Sequence, residues 1–182
     1  MQEEEILDSH VLDENYEVED QYVISAEKFG FLSIITFGIY EVWWFYKAWK
    51  FFKEKEKLDV MPVPRAIFSI IFMIPLFNKI QEYAIIKGYG QTYSSGWLFA
   101  GFLGCNLLSR LPDPFWLISL VSFVFAIAPF NALNYAKRNS TEFRVIEQTS
   151  FNGRQLGLIV FGVACWALLI YGMFVPEDSY GF

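Results

Sequence analysis

LGLIVFGVACWALLIYGMFV, residues 156–175, contains no charged side chain. At about 1.5 Å per residue, a helix of this length extends about 30 Å, the hydrocarbon thickness of a bilayer. Eleven of its twenty residues are Leu, Ile, Val or Phe, and each favours insertion by about 0.3–0.6 kcal/mol at a helix centre. A buried helix in a water-soluble core rarely runs so far without a charge. The stretch reads as a membrane span.

Composition leads to the same place. A water-soluble domain is about 45–50% apolar and about 25% charged. This 182-residue chain is 54% hydrophobic, 19% charged and 20% aromatic. Its length fits one helical bundle rather than two sizeable domains. Cys105 and Cys165 lie in apolar segments, where cysteine packs as a small hydrophobe. No secretory leader is expected, because the N-terminus lacks a basic region and apolar sequence starts only near Phe29. Residues 1–27 carry ten acids and no Lys or Arg, so a net charge of −6 leaves about +4 on the remainder. We read 1–27 as an acidic, disordered, solvated tail, 28–176 as a helical membrane domain and 177–182 as a short C-terminal tail. His10 has no companion ligand at a metal-binding spacing.

Five apolar segments follow one another, at 29–46, 66–77, 97–108, 115–130 and 156–175. The second reaches only about 18 Å as a helix, too short to cross. Carrying it on to Ile86 brings in Asn78, Lys79, Gln81 and Glu82. Lys and Arg collect on the cytoplasmic side of membrane proteins. With all five segments crossing, the cations divide seven to seven; with the second held on one face, twelve to two. The expectation is an all-α integral membrane protein with about four transmembrane helices, a short re-entrant or interfacial segment, and both termini outside. A three-span alternative also keeps the first segment in the interface, with the tail inside, and divides the cations thirteen to one. Glu41 favours that alternative, since a carboxylate at mid-bilayer costs about 2.5–3.5 kcal/mol.

The densest chemical signal is Trp43-Trp44-Phe45-Tyr46-Lys47-Ala48-Trp49-Lys50-Phe51-Phe52-Lys53. Phe45, Ala48, Trp49 and Phe52 share a helical face. Aromatic rings settle at headgroup level and lysines reach toward anionic lipid, each contributing about 1 kcal/mol. Trp43, Trp44, Lys47, Trp49, Lys50 and Lys53 are therefore candidate lipid-interface residues. Glu41, Asn106, Asn131 and Asn134, with Arg110 at a span edge, form a second candidate set of intramembrane polar groups. Their structural alternative is hydrogen bonding between helices. Arg110-Leu111-Pro112-Asp113-Pro114 reads as a tight helical hairpin, with Asp113 capping a helix that has Pro114 in its first turn. Gly101, Gly104, Gly157 and Gly162 offer close helix contact. Pro75 and Pro129, each followed by an Asn and a Tyr-Ala pair, hint at a degenerate repeat.

HExxH, GxSxG and P-loop signatures are missing, as is an aspartate pair within apolar helices. The sequence thus points away from an enzyme, with no cofactor, metal or nucleic acid expected. It points to a protein acting through lipid or protein contacts. The expected partners are the bilayer, anionic lipid headgroups, and a second copy or another membrane protein. The alternative is a small transporter or channel subunit with a polar path near Glu41.

Thr36-Phe37-Gly38-Ile39-Tyr40, followed by Trp44-Phe45-Tyr46-Lys47 and Trp49-Lys50, resembles a family of small bacterial multi-pass inner-membrane proteins catalogued as a domain of unknown function. Similar stretches are Pro64-Arg65-Ala66-Ile67-Phe68, Leu111-Pro112-Asp113-Pro114-Phe115-Trp116 and the closing span, so the likeness covers residues 22–176. Ala48 and Pro64 stand where that family often has Asn and Trp. The resemblance implies an α-helical fold in a bacterial inner membrane, and no activity.

Overall fold

Thr36, Phe37 and Gly38 turn the chain back on itself. Helix α1 (Ala26–Ile35) starts at Ser25, whose hydroxyl accepts the Lys28 N–H at 3.3 Å. Phe37 and Gly38 then adopt left-handed φ values of 53° and 84°, and α2 (Ile39–Glu56) begins in a new direction. The Thr36 hydroxyl donates to the Leu32 carbonyl at 2.7 Å and accepts the Tyr40 N–H at 3.0 Å, stitching the break. Phe29 meets Tyr40 and Trp44 at centroid distances of 6.1 and 5.7 Å. The two helices are therefore antiparallel, and segment 29–46 is not the single continuous helix that the four-span expectation took it to be. A hydropathy sum carries no information about backbone direction, and two positive-φ residues reverse it here.

The computed structural model describes residues 20–57, 61–112 and 115–174. The acidic tail up to residue 19, His10, and the capping pair Asp113 and Pro114 lie outside them. After α2 come α3 (Pro62–Ile67), α4 (Ser69–Ile86) and α5 (Ser95–Leu107). A 3-10 turn (Leu108–Arg110) follows, then a longer 3-10 stretch (Phe115–Phe123) that runs into α6 (Val124–Arg138); α7 is Gly153–Phe174. Strands β1 (Gln21–Val23) and β2 (Val145–Glu147) pair in parallel, Tyr22 opposite Ile146. This small ribbon was not foreseen in an all-α reading. The helical body also starts two residues ahead of the boundary read from charge.

Among the described residues, three helices are long and apolar enough to cross a membrane: Ser69–Ile86, Phe115–Arg138 and Gly153–Phe174. The first of these takes residues 69–77 of the second segment and continues to Ile86, 18 residues in all, while Ala66 and Ile67 belong to α3. Its polar half is accommodated by protein: Lys79 pairs with Glu56 at 2.5 Å. Helices α4 and α6 finish at the same end of the molecule. There Tyr135 donates to the Gly88 carbonyl at 3.3 Å, the Tyr83 and Ser140 hydroxyls meet at 2.5 Å, and Glu142 bridges Lys87 and Lys55. Helix α2 therefore ends there too. Between them α5 returns, 13 residues and about 20 Å long; its Gly101 lies against Phe125.

Aromatic side chains fill the centre. Phe29 stacks on Phe130 at 4.5 Å, Phe45 on Phe77 at 6.0 Å, and all four are buried. Helix α7 lies at the periphery, with only 6% of its apolar window covered. It touches the hairpin where Gly162 abuts the Ile35 carbonyl and where Trp166 stacks on Phe37 at 4.8 Å. Gly101 and Gly162 thus allow the close contacts expected of them, whereas Gly104 and Gly157 face open space.

A cationic, aromatic cavity at the foot of the hairpin

One face of α2, one face of α6 and the start of α7 enclose a cavity of about 630 Å³. Helix α2 contributes Tyr40, Trp43, Trp44, Lys47, Lys50 and Phe51; α6 contributes Phe130, Leu133, Asn134 and Lys137. These positions recur at three- and four-residue steps, which places them on single helical faces. The third wall is Asn152, Arg154, Gln155, Gly157 and Leu158, and β1 closes the side.

That third wall is built by a reciprocal helix cap. The Asn152 side-chain oxygen accepts the Gln155 N–H at 2.8 Å, and the Gln155 side-chain oxygen accepts the Asn152 N–H at 3.0 Å. Gln155 also donates to the Tyr40 hydroxyl at 3.1 Å and accepts from Gln148 at 2.6 Å. Asn134 donates to the Ile24 carbonyl at 3.0 Å, and Lys28 donates to the Gln148 carbonyl at 3.0 Å. The polar groups of this wall are thereby satisfied. The cations are treated differently. Lys50 pairs with Glu54 at 3.2 Å, but Lys47, Lys137 and Arg154 have no acidic partner among the described residues. Lys137 is only 6% exposed, its ammonium 4.7 Å from the Phe51 ring centroid.

Of the lipid-interface residues read from sequence, four line this cavity: Trp43, Trp44, Lys47 and Lys50. Trp44 is buried against Phe29, Phe45 and Phe130, while Trp43 stays 39% exposed beside Lys47. Trp49 is buried under the Arg65 guanidinium, 4.5 Å away, and so packs inside the protein. Lys53 is exposed on α2 away from the cavity.

The intramembrane polar set does not assemble. Glu41 is buried in the first turn of α2, with no ion pair or side-chain hydrogen bond among the described residues. Asn106 donates to the Phe102 carbonyl of its own helix at 2.9 Å. Arg110 and Asn131 are exposed, and only Asn134 reaches the cavity.

Sequence reasoning missed Lys137, Arg154 and the Asn152–Gln155 cap. Lys137 falls beyond the apolar segment 115–130, although it follows Phe130 and Leu133 at helical spacing. The pattern Asn-x-x-Gln ahead of the last span was an available cap signal.

At the shared end of α2, α4 and α6, hydrogen bonds from Lys55 and Lys87 hold the Glu142 carboxyl below its usual range. The same bond pushes the Lys87 ammonium up. Arg138 does likewise for Glu147, lowering that carboxyl by a two-point hydrogen bond. No family model, no curated protein and no solved structure matches this chain.

Proposed function

We propose that this chain is a non-enzymatic integral membrane protein that acts through contacts with anionic lipid. One observation carries the reading: the cation- and aromatic-lined cavity sits at the level where the most lipid-exposed helix, α7, begins. This half of the molecule holds Lys47, Lys50, Lys137 and Arg154 at the cavity and Lys55, Lys87 and Arg138 at the shared end of α2, α4 and α6. By the positive-inside rule that half faces the cytoplasm, and a bacterial inner membrane is the address we assign. On this reading α1–α2 enters and leaves on the cytoplasmic side, and α4, the 115–138 helix and α7 are the long spans. The chain traverses the layer again through the segment between α2 and α4 and through α5. A transport path is less well supported, because Glu41, Asn106 and Asn131 lie off the cavity. The test is extraction of membranes with alkaline carbonate, followed by lipid analysis of the detergent-purified chain. The chain is expected in the membrane pellet, with anionic phospholipid enriched over the bulk membrane. Release by carbonate, or co-purified lipid of bulk composition, would overturn the proposal.

A further inference from the structure

A buried ammonium without a counter-ion is expensive, because desolvation is not compensated by a partner. Lys137 is buried on the wall of a cavity large enough for a headgroup, with no ion-pair contact among the described residues and Glu54 as the carboxylate that acts on it from a distance. Lys47 and Arg154 line the same space and are likewise unpaired among the described residues. Its acids are Asp20 and Glu54, and Glu54 is already engaged by Lys50. The lining thus sets Lys47, Lys50, Lys137 and Arg154 against Asp20 and Glu54, with Lys137 buried and Lys47 and Arg154 exposed at its edge, an arrangement suited to an anion.

The walls add a second requirement. Trp43, exposed beside the mouth, and Leu158 on α7 are apolar, and Gly157 leaves its side of the opening empty, with nothing within 4 Å of where a Cβ would stand. The next turns of α7 carry Val160, Phe161 and Val163 exposed, a surface suited to hydrocarbon. A small inorganic anion would satisfy the cations and leave this apolar exit unused.

We propose that the cavity between α2, α6 and the start of α7 holds the phosphate of one anionic phospholipid, which contacts Lys47, Lys137 and Arg154 while its acyl chains leave past Trp43, Gly157 and Leu158. This rests on the lipid-contact reading above and names the lipid class and its seat. A phosphate diester presents several oxygens to the three cations that line this cavity, so the contacts are charge-assisted hydrogen bonds. Tyr40 and Trp44 form the apolar floor beside the headgroup.

The experiment is native mass spectrometry of the full chain in detergent, titrated with phosphatidylglycerol, phosphatidylcholine or inorganic phosphate. Wild type is expected to retain one phosphatidylglycerol, to bind phosphatidylcholine weakly, and to ignore millimolar phosphate. Lys137→Met and Gly157→Leu should each weaken retention about tenfold or more, whereas Lys137→Arg should preserve it. Gly157→Leu removes no charge and meets open space, so it reports on the seat even where the lysine variant does not fold. Equal retention in wild type and Gly157→Leu would overturn the proposal, as would displacement by inorganic phosphate. Carbonate extraction of the same preparations separates the two ideas: a chain that stays in the pellet but binds no lipid defeats the seat alone.

Discussion

Helices α2 and α7 are both rich in large apolar residues, yet they are solvated in opposite ways. Helix α2 buries Tyr40, Trp44, Phe45, Trp49, Phe51 and Phe52 inside the protein, with Lys47 and Lys50 beside Trp44 and Phe51 at the cavity and Lys53 exposed. Helix α7 buries only Gln155 and Gly162 and turns nearly all its apolar surface outward. One helix is part of the core; the other is held by a few contacts and leaves its apolar surface uncovered. Apolar content alone does not say which solvent a helix meets. The presence of charges within the same turns does.

The contrast can be broken most severely from the α2 side. Phe29→Ala removes the ring that Tyr40, Trp44 and Phe130 pack against, and should cost about 3–5 kcal/mol, read as a lowered thermal midpoint in detergent. On the α7 side, Leu168 is 71% exposed, so Leu168→Ala should change folded stability little. Leu168→Arg, however, should raise the insertion free energy of α7 by about 2.5–3.5 kcal/mol, measured with a glycosylation-site insertion reporter. Equal insertion of both variants would mean α7 is not surrounded by lipid.

A smaller effect probes the seam between the two regions. A Cβ on Gly162 would overlap the Ile35 carbonyl, so Gly162→Ala should cost about 1–3 kcal/mol. Gly104→Ala, in open space, serves as the control in the same thermal assay.

The smallest effect concerns the polar end. Glu142 has a carboxyl held below its ordinary value by Lys55 and Lys87. Its contribution is therefore complete above the unfolded value, near pH 4.3, and is lost as pH falls through the lowered folded value. Because the pair is largely solvated, the loss should stay below about 1 kcal/mol. Thermal midpoints of wild type and Glu142→Gln should differ at pH 6 and converge near pH 3; a constant difference would rule the ion pair out as its source.

Much of this was legible before any coordinates. The α7 span follows from twenty uncharged residues, and the excess of cations at one end follows from counting. The hairpin was not legible from hydropathy, because residues 29–46 are apolar on both sides of the break. The signal lay in Gly38 after Thr36-Phe37, where a left-handed residue was available to reverse the chain. The cavity escaped notice for a related reason. Lys137 and Arg154 are distant in sequence from the Trp43–Lys53 run, and only the fold brings them together, through the Trp44–Phe130 and Phe51–Lys137 contacts and the Gln155–Tyr40 hydrogen bond. Four of six lipid-interface candidates line it, since they share a helix face. The polar set scattered, since its members came from depth in the sequence and not from a common face.

The central claim is that the chain enters and leaves through one membrane face over residues 26–56. Single cysteines placed at Tyr22, Lys57, Arg110 and Ser150, after Cys105 and Cys165 are replaced by Ser, can be labelled with a membrane-impermeant thiol reagent in sealed vesicles. All four positions are exposed on the protein. The account predicts that Tyr22→Cys, Lys57→Cys and Ser150→Cys label from one side and Arg110→Cys from the other. Labelling of Tyr22→Cys and Lys57→Cys from opposite sides would contradict it.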